Sequence, residues 1–476
     1  MIPSASIILK ARDGKLLMMR RSPKMRAFPN SWVFPGGKLE TSVEPGYTGE
    51  EEEFKIQALQ ELWEEVGIVP TVGTPTAERS SNVKDLIPEE KLREVLNGMK
   101  FIGRRQTPPF SKRVFDAAYF LLKVDEAYTP IPDGTEAVEA KWAHPKDMIE
   151  SFRTGKAIIP PPVLRLLKLF NGDEKEAIAK SLEDQSKPVG LQTPVEFAEG
   201  LEHIPLRSYT AKPFQYTNLT IFRGDEATLL VDPGWNEEAS NARPLLETIK
   251  TENVIVFLTH HHKDHIAGLD LVAEMFPDAT VIGSRFTLER VTTDLKKTAV
   301  DELMLDLVEE GEGWVLHILP APGHTKGHLV IYDMRNDLLV AGDHVVGIGT
   351  ALLDPTSGSM SDYLRTTDKL IELNPRLILP AHGPVIFEPQ KRLQYYKRHR
   401  LEREEQVINS LRAGNSTVKE IVADIYREVD QNLWRYAGFN VFLHLQKLKE
   451  EGRVQAMEQV NHENYEHVKF QLVNTR

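Results

Sequence analysis

The run Thr259-His260-His261-His262-Lys263-Asp264-His265 constrains this chain more than any other stretch. It follows Asn253-Val254-Ile255-Val256-Phe257-Leu258-Thr259, an apolar, β-branched segment of the length of a buried strand. Two histidines two residues apart on a tight loop can set both imidazoles on one metal. Asp264 and His265 then point towards a second metal nearby. Imidazole and carboxylate ligands suit zinc. The chain has no cysteine. Disulfides, thiolate metal sites and a cysteine nucleophile are therefore excluded, and any metal is held by His, Asp or Glu.

Four further residues sit in compatible places. Asp232 ends the strand-like ATLLVD, His324 lies in Ala-Pro-Gly-His-Thr after WVLHIL, Asp343 ends LLVAGD, and His382 follows LILPA. Short apolar strands alternate with helical segments such as EASNARPLLETIK and LDLVAEMF, which is an α/β pattern. In such folds polar site residues collect just after the strands. One histidine alone is more often a surface or core residue. A run of four ligands with three more in order is not.

These stretches resemble the metallo-β-lactamase superfamily. Within it, residues 205–455 resemble the β-lactamase-like protein 2 branch, through LTHHHKDHIAGL, APGHTKGHLVIYD, VAGDHVVGIGTA and LPAHGPVI. The resemblance implies an αββα sandwich with the site along one edge. It assigns His260, His262 and His324 to a first zinc and Asp264, His265 and His382 to a second, with Asp343 bridging both. Asp232 would orient the site from behind. Two cations flanking one water lower its pKa and make a hydroxide nucleophile near neutral pH, with Asp264 as proton acceptor. His328 reads either as a wall residue or proton donor of the site, or as a buried structural histidine. The branch implies phosphodiester hydrolysis on single-stranded RNA. The alternative is thioester hydrolysis on acyl-CoA or acyl carrier protein, since glyoxalase II and fungal thioesterases resemble the same motifs, GHTKGH included.

A second motif lies upstream in Gln60-Glu61-Leu62-Trp63-Glu64-Glu65-Val66-Gly67-Ile68. Glu61, Glu64 and Glu65 fall on one helical face, and three like charges there call for a hard cation such as Mg²⁺ or Mn²⁺. With Phe34-Pro35-Gly36-Gly37 before it, the segment resembles a Nudix box of the branch that includes coenzyme A diphosphatases. That implies an α/β/α domain acting on a nucleoside diphosphate derivative, with Glu61 catalytic. Two departures stand out. Gln60 replaces the usual arginine, and the stretch from Gly37 to Glu52 is long, although Gly46 restores the usual glycine spacing. Gln60 motivates the competing reading, a Nudix domain that binds a nucleotide without cleaving it.

At 476 residues the chain exceeds one core. The expected domains are 1–175, Nudix-like; 176–194, a polar linker; 195–395, the metallo-β-lactamase domain; and 396–476, helical and winged-helix-like. The net charge of −12 rules out a global positive field for nucleic acid. A local stretch, KRLQYYKRHRLER at 391–403, reads as a phosphate-contacting stripe with stacking tyrosines or, preferably, as a solvated helix face. The tail then reads as a lid or homodimer element. No apolar run approaches the roughly 20 residues of a membrane span, and no targeting segment is evident. The expected location is the cytoplasm, with the mitochondrial matrix left open.

Overall fold

Gly14, at φ 85°, closes the turn between two antiparallel strands, Ile2–Ala11 and Leu16–Arg21, paired at Lys10↔Leu16. Both are largely buried. The computed structural model describes residues 1–25, 28–40, 48–74, 79, 81–106, 114–185, 195–210, 214–300, 305–308, 314–462 and 464–473. Contacts divide it into two units, Met1–Ile204 and Pro205–Arg476.

In the first unit, Ile2–Ala11 pairs in parallel with Phe115–Val124 from Ile2↔Phe115 to Ala11↔Val124. The sheet order is Trp32–Val33, Leu16–Arg21, Ile2–Ala11, Phe115–Val124, Lys100–Gln106, with Gly36–Lys38 joined to Ile2–Ala11. The helix Glu52–Val66 buries Phe54, Ala58, Leu59, Leu62, Trp63 and Val66 on this core. Each such large apolar side chain contributes about 1.5–3 kcal/mol. Gly67, at φ 69°, ends the helix in the left-handed conformation that favours glycine.

Residues 176–185 of the expected linker are helical. Glu174–Gln185 is a helix. Glu174 pairs with Lys10 and Lys123, each at 2.7 Å, and Ala177 and Ile178 are buried in the first unit's core. The segment is polar because only these few positions face inward. Residues 186–194, and Gly46 of the Nudix spacing, lie outside the described residues.

In the second unit, every strand expected from the sequence forms. One sheet runs Lys296–Ala299, Thr280–Gly283, Asn253–Phe257, Ala227–Val231, Tyr216–Arg223. Its central members are parallel, with Val231↔Phe257 and Phe257↔Ile282 in register. The other runs Leu305–Val308, Val315–Pro320, Leu329–Asp333, Leu338–Gly342, Leu377–Pro380. Ala227–Val231, Leu338–Gly342 and Leu377–Pro380 are buried throughout. That is why they read as continuous apolar runs rather than alternating ones. Of EASNARPLLETIK only Ala242–Leu246 is helical.

The helix Pro389–Arg412 is continuous, so the boundary expected at 395/396 falls inside it. Thr417 and Glu420 form a capping box at the start of Val418–Ile425. The helix Trp434–Glu450 and the antiparallel pair Val454–Ala456 with Phe470–Leu472 complete a winged helix. Among the described residues no helix is long and apolar enough to cross a membrane.

Candidate metal centre

Each ligand expected from the sequence follows a strand end. His260 to His262 leave Asn253–Phe257 in a loop, and Asp264 and His265 sit in the one-turn helix Lys263–Ile266. Asp232 leaves Ala227–Val231 at φ 54°, a left-handed conformation strained for a non-glycine residue and typical of functional sites. The strain turns its carboxylate onto the histidine loop. Oδ1 accepts from the Thr259 N–H at 2.8 Å and Oδ2 from the Thr259 hydroxyl at 2.7 Å. Gly234 allows this close approach, because a Cβ there would collide with the Asp264 carbonyl.

Three imidazoles converge first. His260 Nε2 lies 2.9 Å from His262 Nδ1 and 3.3 Å from His324 Nε2, and the last two are 3.1 Å apart. A tetrahedral zinc with ligands at about 2.0 Å separates neighbouring ligand atoms by about 3.3 Å, so the spacing matches. The opposite ring nitrogens are engaged elsewhere. His260 Nδ1 lies 3.0 Å from the Thr259 hydroxyl, and His324 Nδ1–H donates to the Leu352 carbonyl at 2.5 Å. The Nε2 atoms of His260 and His324 are thereby left as acceptors facing His262 Nδ1, an arrangement that a cation satisfies.

Asp264, His265 and His382 form the second group. His382 Nε2 lies 3.3 Å from Asp264 Oδ2. Asp343 spans the two groups. Its Oδ1 is 3.4 Å from His265 Nε2 and 3.2 Å from His382 Nε2, while its Oδ2 is 3.7 Å from His324 Nε2. His265 Nε2, His382 Nε2 and Asp343 Oδ1 are buried without a hydrogen-bond partner. Unsatisfied buried polar atoms are costly, and three aimed at one spot are the mark of a metal site. Behind the site, His265 Nδ1 lies 2.9 Å from Asp232 Oδ2, and His382 Nδ1–H donates to the Tyr216 carbonyl at 2.9 Å. Burial would lower the His265 imidazole, but Asp343, Asp232 and Asp264 outweigh it and hold it well above its ordinary value.

His328 is buried and pairs with the backbone, as one of the two readings of the sequence has it, though with an N–H as partner. Its Nε2 accepts the Asp343 backbone N–H at 3.1 Å. Burial, then His324 and His344, push the imidazole well below its ordinary value, which suits an acceptor. It pairs with a backbone N–H rather than a carbonyl, and so supports Asp343. Sequence reasoning missed Asp354, whose Oδ2 lies 2.9 Å from His262 Nε2. No local motif marks it, because the two residues are far apart in the chain.

The three glutamates of the upstream motif lie on the helix Glu52–Val66. Glu61 accepts from Gln57 at 3.0 Å, Glu64 from Gln60 at 2.6 Å and Glu65 from the Gly36 N–H at 2.9 Å. The three carboxylates have separate hydrogen-bond partners but remain close enough for Glu61 to feel Glu64 and for Glu65 to feel Glu61. Among the described residues, every candidate metal group lies in the second unit. Gly37 does press on Glu61, since a Cβ there would collide with its carboxylate. Burial, with Glu64 and Glu136 nearby, pushes Glu61 up to about 7. Burial and Glu61 push Glu65 well above the usual range. Gln60 also ties the helix to the next segment, accepting from the Val83 N–H at 2.8 Å.

The basic stretch is mostly engaged. Lys391 pairs with Glu388, Lys397 with Asp368 and Arg398 with Glu402. Arg400 and Tyr396 are buried. Arg392 donates to the Val346 and Gly349 carbonyls at 2.7 Å.

Comparison with known proteins accords with this geometry. Residues 213–382 match the family model for the metallo-beta-lactamase superfamily, 417–460 that for the beta-lactamase associated winged helix domain, and 2–166 that for the NUDIX domain. The chain is similar to a Drosophila melanogaster protein called Beta-lactamase-like protein 2 homolog. The two are 27% identical over 270 residues, which cover 54% of this chain and 90% of that protein. It is also similar to an Atrochrysone carboxyl ACP thioesterase of Passalora fulva, 26% identical over 255 residues, 51% of this chain and 73% of that one. A crystal structure of a beta-lactamase domain protein from Burkholderia ambifaria covers 60% of this chain and 96% of its own, with 16% identity and a TM-score of 0.51. It shares the fold.

Proposed function

From a chain that joins a NUDIX domain, a metallo-beta-lactamase superfamily domain and a beta-lactamase associated winged helix domain, we propose a binuclear zinc hydrolase that cleaves an acyl thioester. Both catalytic families are hydrolases. The observation that carries the hydrolase reading is the convergence of His260, His262 and His324 on one side of Asp343, and of Asp264, His265 and His382 on the other. Those residues would hold two zinc ions, and such a pair supplies an acidified water and a polarised electrophilic oxygen. Asp264 holds and deprotonates the attacking water. Burial opposes its ionisation, but His265 and His382 keep the carboxyl well below the usual range, so it stands as a carboxylate able to ligate and to orient the water. Asp232 and the Tyr216 carbonyl fix His265 and His382 from behind.

For the substrate, the state of the basic stretch favours the thioester. Lys391, Lys397 and Arg398 are in ion pairs, Arg392 and Arg400 grip backbone carbonyls and Arg403 donates to Gln406, which disfavours a continuous phosphate track. A relative whose name is Atrochrysone carboxyl ACP thioesterase is 26% identical to this chain over 255 residues. Single-stranded RNA is the second reading, the one that the resemblance to the β-lactamase-like protein 2 branch implies. The test is a side-by-side assay of zinc-loaded protein on acyl-CoA, acyl carrier protein thioester and single-stranded RNA. Thioester turnover well above RNA cleavage is expected, and the reverse order would replace this reading with the RNA one.

The first domain is proposed to hydrolyse a nucleoside diphosphate derivative, coenzyme A included, with Mg²⁺ or Mn²⁺ and Glu61 as its base. Gln60 supplies a neutral hydrogen bond where an arginine would supply an ion pair, so the turnover should be slow. It should persist in a His260→Ala variant and rise in Gln60→Arg. Binding of the nucleotide with no cleavage in either form would make the domain a binding module instead.

A further inference from the structure

The loop after Asp343 carries an unassigned device for the first metal group. Its segment Val346–Asp354 touches two of that group's three histidines. The Leu352 carbonyl takes the His324 Nδ1 proton at 2.5 Å, and the Asp354 N–H returns a hydrogen bond to the His324 carbonyl at 2.9 Å. Asp354 Oδ2 reaches His262 Nε2 at 2.9 Å. The carboxylate is itself fixed. Oδ1 accepts from the Thr356 N–H and hydroxyl at 2.6 Å each, and from the Ser357 N–H at 3.1 Å. Gly358 closes the turn, since a Cβ there would strike the Asp354 carbonyl.

The long C-terminal helix grips the same segment from outside. Arg400, buried at 2% exposure, donates to the Ala351 carbonyl and to Asn440 Oδ1 at 2.9 Å. Arg392 holds the Val346 and Gly349 carbonyls. The segment is thus tied at both faces, and its one carboxylate is aimed at an imidazole.

We propose that Asp354 is a positioning residue that fixes His262 with its proton on Nε2 and its lone pair on Nδ1, the atom facing His260 and His324. The inference rests on reading those three histidines as a zinc site. A neutral imidazole offers one donor and one acceptor, so whichever nitrogen is held as donor decides which can ligate. Asp354→Asn discriminates. Three donors already point at Oδ1, so an asparagine keeps its oxygen there and turns its amide towards His262 Nε2. Two donors cannot face each other, and the imidazole then moves its proton to Nδ1, away from the ligating form.

The test is the zinc affinity of the full chain, measured by competition with a chromophoric chelator, together with the visible spectrum of the cobalt(II)-loaded protein. Wild type should take up the metal. Asp354→Asn should weaken one site by about 10–100-fold and reduce the cobalt bands from it, with the loop intact. Asp354→Ala should also bind less tightly. Tight, wild-type-like binding by Asp354→Asn would overturn the proposal and leave Asp354 a loop anchor, and it decides even where Asp354→Ala fails to fold. Failure of wild type itself to bind zinc would instead overturn the metal-site reading, and this inference with it.

Discussion

His260→Ala should reduce bound zinc from about two ions per chain to one or fewer, and bring activity of the second domain down to the level of a no-enzyme control. His260 is fully buried, with Nε2 between His262 and His324 and Nδ1 against Thr259. A three-nitrogen group that loses one member holds zinc poorly, since the other two cannot close a tetrahedron. Loss of the first ion also removes the counter-charge for Asp343 Oδ2, so the second ion is expected to weaken. Metal analysis and the thioester assay check this together. The first domain provides an internal control, because its activity should not change.

Asp264→Asn should lower kcat by about 10²–10⁴-fold, the usual contribution of a positioned base. The amide keeps the shape of the side chain and can still ligate through its oxygen, but it cannot take a proton. The fold should survive, because the backbone contact that holds this residue is the Thr217 hydroxyl on its carbonyl at 2.7 Å. The loss should therefore appear in kcat with zinc retained, and the acidic limb of the pH–rate profile should change. Near-wild-type kcat with an unaltered profile would remove Asp264 from proton transfer and leave it a ligand only.

The metal site was readable in the sequence because its residues cluster where strands end. Buried parallel strands appear as apolar runs, and the polar residue after each run is a natural candidate. Asp232, His324, Asp343 and His382 were all found this way. Asp354 was not, because it acts across a turn whose Asp-Pro-Thr-Ser-Gly composition reads as a simple connection. The same blindness to partners affected the charged segments. Arg392 and Arg400 read as part of a basic helix face, yet one grips backbone carbonyls and the other is buried. Glu174–Gln185 read as the start of a linker because most of its positions are polar, and the pairing of Glu174 with Lys10 and Lys123 spans strands distant in the chain. In the Nudix box, spacing put Glu61, Glu64 and Glu65 on one helix face. It could not show that each has its own partner, Gln57, Gln60 and the Gly36 N–H respectively.

The most direct test of the two-metal account is anomalous diffraction at the zinc edge from crystals of the zinc-loaded protein. The account predicts two peaks in the second domain. One should lie among His260 Nε2, His262 Nδ1 and His324 Nε2, the other among Asp264, His265 and His382, with Asp343 contacting both. A single peak, or zinc bound away from these residues, would contradict it.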